Sequence, residues 1–282
     1  AAHPAETLYF PKGVYAFSGK LVLDFCYMVL DNAELKCTAA TKVDRFVEIR
    51  GKMTPIGHPR QDMFIRGNGK VNANFKADDC IAVARQKCTL IDHISIQNFQ
   101  RYGICGKFED ASMETEGLVA SNLSYELMVR NCLIETSLIY QYAVGIYDTG
   151  DSMYTDIVIL NVKTALSCSS IFHNVHAWCY DFDHSDHDTQ KALMEDTVFA
   201  YIRVNGPRFS DCYCDTYQRG FKFYDGRTLA YITNFRWYIA AETWPTDLPA
   251  YVFPANPTGQ AMYKVFGADI NGSGVTKFSD VD

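Results

Sequence analysis

The stretch Val144-Gly-Ile-Tyr-Asp148 decides the fold, because versions of it recur along the chain. The related stretches are Tyr102-Gly-Ile-Cys-Gly106, Ala177-Trp-Cys-Tyr-Asp181 and Phe221-Lys-Phe-Tyr-Asp225. Each closes a segment that opens with a strand-like run and passes a polar corner; the four segments are 88–106, 125–148, 154–181 and 198–225. A repeat of about 20–30 residues built from short strands is typical of a solenoid. We therefore predict a β-solenoid rather than a sandwich or a barrel.

Composition narrows the class of partner. The chain has 282 residues, of which 48% are hydrophobic and 21% charged, an ordinary globular balance. Its net charge of −7 argues against a nucleic-acid partner, which requires a basic surface. The sequence contains no apolar run of about 18 residues, so we expect no membrane insertion.

Ten cysteines lie within apolar, strand-like runs and show no paired C-x-x-C spacing. This placement favours buried, reduced thiols that act as small hydrophobic residues. Reduced thiols indicate synthesis in a reducing cytoplasm, even for a protein that acts outside the cell.

Two motifs resemble a known superfamily. Thr7-Leu-Tyr-Phe-Pro-Lys-Gly-Val-Tyr15 resembles the opening coil of pectate-lyase-like β-helices, which include phage tailspikes and capsule depolymerases. Ile65-Arg-Gly-Asn-Gly-Lys-Val-Asn-Ala-Asn74 resembles the glycine-rich turn that follows in that superfamily. The resemblance covers about residues 7–240 and implies an all-β, single-stranded right-handed parallel β-helix. It says little about chemistry, because this fold carries hydrolases, lyases and non-catalytic binding proteins.

The repeat pattern breaks after residue 240. Prolines follow Trp244, Leu248, Phe253 and Asn256, where a coil needs backbone donors. We therefore divide the chain into a β-helix, 1–240, and a non-repetitive segment, 241–282, that caps the helix or contacts other subunits.

The overlay of the repeats predicts an aspartate ladder. Asp148, Asp181 and Asp225 would stack at the inter-coil spacing of about 4.8 Å, with a tyrosine before each. Since adjacent residues alternate between the two faces of a strand, we expect the aspartates to face a solvent trough. Such separations suit the carboxylate pairs of glycosidases. The alternative is that these aspartates only cap turns.

Extra residues fall mainly after the closing strands, in 107–122, 149–153 and 182–196. Insertions at one point of a solenoid repeat emerge on one side, so we expect these loops to share a face with the ladder. The polar stretch 176–188 adds Asp183 as a further catalytic candidate. Its histidines and carboxylates include a possible divalent-cation site, but no fixed ligand spacing is matched, so we predict no cofactor. The predicted substrate-binding residues are Trp178, Tyr180, His184, Asp186, Arg219 and Trp237.

Two other sequence patterns bear on the chemistry. The stretch Lys76-Ala-Asp-Asp-Cys-Ile-Ala82 resembles a polygalacturonase motif, but the partner motifs of that family are missing, which favours coincidental turn chemistry. A lyase of uronic-acid polymers would use basic side chains and tyrosines to neutralise a carboxylate and move a proton. The arginines at 203, 208, 219 and 227 suit that role, or pair with local aspartates.

The expected function is binding, and cleavage by an aspartate pair, of a bacterial capsule or lipopolysaccharide. A polysaccharide lyase and a non-catalytic glycan-binding protein are the alternatives. The resemblance to tailspikes implies a homotrimer located on a virion tail or outside the cell.

Overall fold

The structure is a computed structural model. It describes residues 6–24, 26–50, 60–61, 63–84, 86–106, 126–137, 142–148, 151–179, 186–203, 206–224, 229–239, 244–251 and 262–271. For residues 24, 60–61, 84, 86–87, 229 and 262–271 it describes the backbone alone.

Two large parallel sheets carry the fold. Sheet A has 15 strands within the described residues. They are β1 (Thr7–Phe10), β2 (Gly13–Phe17), β4 (Tyr27–Leu30), β5 (Ala33–Cys37), β8 (Phe64–Gly67), β9 (Lys70–Asn72), β12 (Leu90–Asp92), β13 (Ser95–Gln97), β15 (Met128–Glu135), β17 (Met153–Leu160), β19 (Ile171–Trp178), β21 (Arg208–Ser210), β22 (Tyr213–Asp215), β24 (Leu229–Tyr238) and β25 (Met262–Asn271).

Sheet B has eight strands within the same residues. They are β3 (Leu21–Asp24), β6 (Val43–Arg50), β10 (Ala77–Ala84), β14 (Tyr102–Cys105), β16 (Val144–Tyr147), β18 (Thr164–Cys168), β20 (Val198–Ile202) and β23 (Arg219–Phe223). A short pair joins β7 (Arg60–Gln61) to β11 (Gln86–Lys87), and helix α1 spans His187–Met194.

Each coil runs through sheet A, turns a corner, and returns through sheet B. Strand β15 pairs with β17, and β16 then pairs with β18, always in parallel. Every strand pairing that the structure describes is parallel, and neighbours in a sheet come from successive coils. This arrangement confirms the right-handed parallel β-helix.

A one-residue corner divides sheet A into a first and a second limb. The corner residues adopt positive φ, which asparagine and aspartate tolerate better than most side chains. They stack as His93, Asn131, Asp156, Asn174, Asp211 and Asn234. Side chains bond along this stack, as when Nδ2 of Asn234 donates to Oδ1 of Asp211 at 2.6 Å. A structural Asn/Asp ladder therefore exists, but at this corner of sheet A.

Apolar side chains fill the interior of the coils. The largest fully buried ones include Phe199, Phe209, Phe221 and Phe235, whose ring centroids lie 4.8–6.3 Å apart in the contacting pairs. All ten cysteines are thiols and nine of them are buried; Cys88 is half-exposed. The predicted burial of the cysteines is confirmed for those nine.

Strand pairing continues beyond residue 240. Strand β25 pairs with β24 over nine positions, and Tyr251 forms a parallel bridge with Arg219 of β23. Asp247 accepts ion pairs from His187 and Lys191 of α1, which ties this segment to the preceding coil. The capping or oligomerisation role of 241–282 stays a prediction.

Candidate functional site on the outer face of sheet B

Sheet B lies between the points at which the predicted insertions leave the coils. Segments 107–125 and 149–152 follow β14 and β16, so they leave from the carboxyl end of sheet B. Segment 179–197, which contains α1, follows β19 of sheet A and enters sheet B at its amino end. The prediction that all insertions leave from one point of the repeat is therefore wrong. The insertions leave the coils at the two ends of the strands of sheet B. The outer face of sheet B is therefore the candidate for the substrate-binding trough.

One column of side chains runs along the outer face of sheet B. Backbone pairing places Cys105, Tyr147, Ser167, Tyr201 and Lys222 at equivalent positions of successive coils. Their neighbours one residue earlier, at 104, 146, 166, 200 and 221, belong to the interior core. Because side chains alternate along a strand, the column at 105 points outward.

Aromatic rings and cations cover the later coils of this face. The ring of Tyr147 stacks on that of Tyr102 with centroids 4.5 Å apart. The guanidinium carbon of Arg203 lies 5.0 Å from the centre of the Tyr147 ring. Arg203 therefore lies on the outer face too, two residues after Tyr201.

Tyr201, Arg203, Lys222 and Tyr224 form what we call the phenol–cation group. Nζ of Lys222 lies 5.4 Å from the centre of the Tyr201 ring, and the rings of Tyr201 and Tyr224 are 6.4 Å apart. Lys222 and Tyr224 are exposed, whereas Tyr201 and Arg203 are half-buried. Partial burial raises the pKa of Tyr201, although the charge of Arg203 opposes this, so the phenol stays protonated near neutral pH. The group combines proton donors with two positive charges.

The early coils of the same face hold ion pairs instead. Asp79 is 1% exposed and receives two hydrogen bonds from Arg101, at 2.7 and 2.8 Å. Glu48 is fully buried and pairs with Arg45 at 3.7 Å and with Arg50. Burial raises the pKa of Asp79 to about 6, against the opposing effect of Arg101. These two carboxylates are buried and form ion pairs with arginines.

Asp79 belongs to the stretch that resembles a polygalacturonase motif. That stretch forms strand β10 rather than a turn, so the prediction of turn chemistry is wrong. Its two aspartates point to different partners, since Asp78 binds Lys42 at 2.6 Å while Asp79 binds Arg101.

Asp148 does not face a trough. Its side chain is fully buried and accepts a hydrogen bond from the hydroxyl of Ser170. Its charge contributes to raising the pKa of the buried Tyr154. On β16 the tyrosine, Tyr147, faces outward, so the predicted alternation of this Tyr-Asp pair is reversed.

The predicted ladder of three aspartates is wrong in register. Strand β16 pairs with β18, so Cys168 rather than Asp181 occupies the position equivalent to Asp148. Asp181 follows β19, which belongs to sheet A. Phe221 pairs with Ala200, and through the intervening coil both are equivalent to Ile146. The overlay of the repeats instead matches Phe221 with Val144, which is two residues earlier. The predicted site residues Tyr180, Asp181, Asp183, His184 and Asp225 lie outside the described residues.

The remaining predicted substrate-binding residues lie at separate places. Trp178 is 40% exposed on the outer face of sheet A, whereas Trp237 is 1% exposed and its indole donates to the carbonyl of Tyr217 at 3.2 Å. A buried ring offers no exposed face, so the prediction that the ring of Trp237 itself stacks on a sugar is wrong. Arg219 pairs with Asp196 at 2.6 Å, and Asp186 caps helix α1.

In the part of the chain that the structure describes, no cluster of three His, Cys, Asp or Glu side chains is placed to hold a metal ion. His184, Asp181 and Asp183 lie outside that part, so the divalent-cation site stays a prediction. No described helix is long and apolar enough to cross a membrane.

Sequence reasoning missed Tyr201 and Lys222. The available signal was Tyr201-Ile-Arg203 followed one coil later by Lys222-Phe-Tyr224, two strands with polar residues at alternate positions. The coil relation was hidden because the overlay aligned strands by their Tyr-Asp ends.

No family model matches the chain, and no curated protein sequence matches it. Among solved structures, the chain is similar to the alginate lyase from Paenibacillus sp. FPU-7, with a TM-score of 0.64 and 14% identity over 98% of this chain and 94% of that one. It is also similar to the pectin methylesterase from Aspergillus niger, with a TM-score of 0.39 and 11% identity over 99% of this chain and 84% of that one. The tailspike of Pseudomonas phage phi297 gives a TM-score of 0.38 and 10% identity over 95% of this chain and 42% of that one. At these identities the similarity concerns the fold.

Proposed function

We propose that the chain binds an acidic polysaccharide along the outer face of sheet B and cleaves it by β-elimination. The observation that carries this proposal is the phenol–cation group, which places two tyrosines and two cations on adjacent coils. The similarity to the fold of an alginate lyase is consistent with it.

Each group has a chemical task in such a reaction. The positive charge of Arg203 neutralises the uronate carboxylate, which makes the proton on C5 acidic. Lys222 accepts that proton once its ammonium has given up its own proton to solvent, and the electron pair forms the C4–C5 double bond as the C4–O4 bond breaks. Tyr201 donates its proton to the departing O4, a role that suits a phenol that stays protonated near neutral pH.

The test uses purified protein with a panel of polysaccharides that includes alginate, polygalacturonate and capsular glycans. β-Elimination creates unsaturated uronate ends that absorb in the ultraviolet. Tyr201→Phe and Lys222→Ala should each lower kcat by about 10²–10⁴ if they act in proton transfer. Tyr142→Phe is a control, because Tyr142 is 81% exposed and lies in a turn before β16. Unchanged kcat in both Tyr201→Phe and Lys222→Ala refutes the proposal.

Hydrolysis by paired aspartates is the second candidate. It is favoured by the position of Asp225, which follows Tyr224 directly at the end of the phenol–cation group. Hydrolysis gives saturated products, so ultraviolet absorbance of the products separates the two reactions. A capsule or lipopolysaccharide as substrate, and a tailspike-like role on a virion or outside the cell, belong to this proposal. Binding without cleavage would leave a non-catalytic glycan-binding protein.

We also propose a homotrimer. Exposed side chains form a column on the first limb of sheet A, which is apolar at Met128, Met153, Ile171 and Tyr231 and is interrupted by Arg208. An apolar column of this kind supports subunit contact. Light scattering on the purified chain tests the trimer, and a monomeric mass at micromolar concentration contradicts it.

A further inference from the structure

A cavity opens on the second limb of sheet A, away from the phenol–cation group. Its volume is about 460 Å³. The residues that line it are Asn174, Asp211, Cys212, Tyr213, Asn234, Arg236, Trp237 and Tyr238. They come from three successive coils, carried by β19, β22 and β24 with the corners before them.

Aromatic side chains form one wall of the cavity and its surroundings. The ring of Tyr213 is stacked on His176 with centroids 4.6 Å apart, which fixes its orientation. Tyr238 is 40% exposed, and backbone pairing aligns it with Asp215 and then with Trp178, also 40% exposed. Buried Trp237 lies beneath them. Exposed rings held by a rigid sheet are suited to stack on the apolar face of a sugar.

The Asn/Asp corner ladder also lines the cavity, through Asn174, Asp211 and Asn234. Nδ2 of Asn174 donates to Asp156 at 2.6 Å, and Nδ2 of Asn234 donates to Asp211 at 2.6 Å. These bonds hold amides and carboxylates at fixed positions beside the rings. Planar polar groups of this kind exchange hydrogen bonds with neighbouring hydroxyls. Arg236, which is exposed, adds a positive charge that can pair with a carboxylate.

We propose that this cavity is a second, non-catalytic binding site for a pyranose unit of a polysaccharide chain. The rings of Tyr213 and Tyr238 stack on the sugar, the corner ladder binds its hydroxyls, and Arg236 recognises a uronate carboxylate. The acidic nature of the sugar rests on the proposed function, whereas recognition of a pyranose rests on the cavity alone. A second site on another sheet would hold a long polymer while the outer face of sheet B processes it.

The test measures binding by the full chain that carries Tyr201→Phe and Lys222→Ala, so that any cleavage is suppressed. The probes are a polyuronate tetrasaccharide and a neutral glucan tetrasaccharide, followed by titration calorimetry and by the fluorescence of exposed Trp178. Tyr238→Ala should raise Kd about tenfold, as expected for loss of one stacking ring. Tyr142→Ala is the control, because Tyr142 is 81% exposed in a turn before β16 and does not line the cavity.

Arg236→Gln should weaken the polyuronate and leave the glucan unchanged. The proposal is overturned if neither probe binds, or if Tyr238→Ala binds as tightly as Tyr142→Ala. Failure of the proposed function has a different signature: Tyr201→Phe and Lys222→Ala, tested singly, would then cleave as well as the parent. That result leaves the outcome of the binding experiment intact.

Discussion

Replacing Asp148 by alanine separates a structural from a catalytic role for this residue. The carboxylate is fully buried and accepts the hydroxyl proton of Ser170, whose oxygen in turn accepts the backbone N–H of Ser152 at 3.1 Å. Hydrogen bonds to a charged group contribute about 1.5–3 kcal/mol, and a buried donor left without its acceptor adds to the loss. Asp148→Ala should therefore lower the free energy of unfolding by about 2–3 kcal/mol.

The loss is measured by urea unfolding and by the melting temperature, which should fall by about 4–12 °C for a chain of this size. Asp148→Asn retains an acceptor oxygen and should lose less than about 1 kcal/mol. Ser170→Ala removes the same bond from the other side, so the double variant should lose less than the two single losses combined. Depolymerising activity per folded molecule should stay at the parent level in all of them. A stable Asp148→Ala protein without activity would refute this reasoning and restore the catalytic role.

Three further outcomes follow from burial and close packing. Gly145→Ala should destabilise the protein by about 1–3 kcal/mol, because a Cβ there would lie 2.7 Å from Cγ2 of Ile159. Gly19→Ala is the control, since a Cβ at that position meets nothing within 4 Å. Equal unfolding midpoints for the two variants would contradict the close packing at Gly145. The pKa of Asp79 is raised from its ordinary 3.8 to about 6, so the folded state binds this proton more tightly than the unfolded state does. Stability from this group is therefore lost as pH rises from about 4 to 6. Asp79→Asn should make the free energy of unfolding depend less on pH over that interval, and an unchanged pH dependence would count against this reasoning. A thiol reagent should modify Cys88 rapidly in the folded protein and the other nine cysteines only after denaturation, as mass spectrometry of labelled peptides can check; rapid labelling of several sites would contradict the buried assignments.

The architecture was predictable because it depends on a local pattern. Short β-rich runs ending at polar corners specify a solenoid whatever the register between coils, and asparagine or aspartate at the corners tolerates the positive φ that the bend in sheet A requires. These features can be predicted from single segments of the sequence.

The register was not predictable by eye, for a physical reason. Both sheets are buried on one face, so similar apolar stretches occur in each, and Ala177-Trp-Cys-Tyr-Asp181, which begins at the end of β19 in sheet A, looks like Val144-Gly-Ile-Tyr-Asp148 of sheet B. Strand β18, the true partner of β16, carries no tyrosine. Helix α1 also lengthens the coil between Thr164 and Val198, which breaks the spacing that an overlay relies on. A wrong partner strand then produced a ladder of residues that do not stack.

The side chains on sheet B explain why we place the proposed site at one end of its outer face. Near β6 and β10 the carboxylates Glu48 and Asp79 are buried against arginines, and removing either from its partner would leave a buried charge uncompensated. Near β20 and β23, by contrast, Lys222 and Tyr224 are exposed beside half-buried Tyr201, so a polymer can reach them without displacing an ion pair. An anionic chain entering the trough would be repelled less by the enclosed, neutralised carboxylates than by exposed ones, while the cations of the later coils attract it. In the proposed function, this arrangement of charge along the helix axis would bring binding and proton transfer together at the same coils.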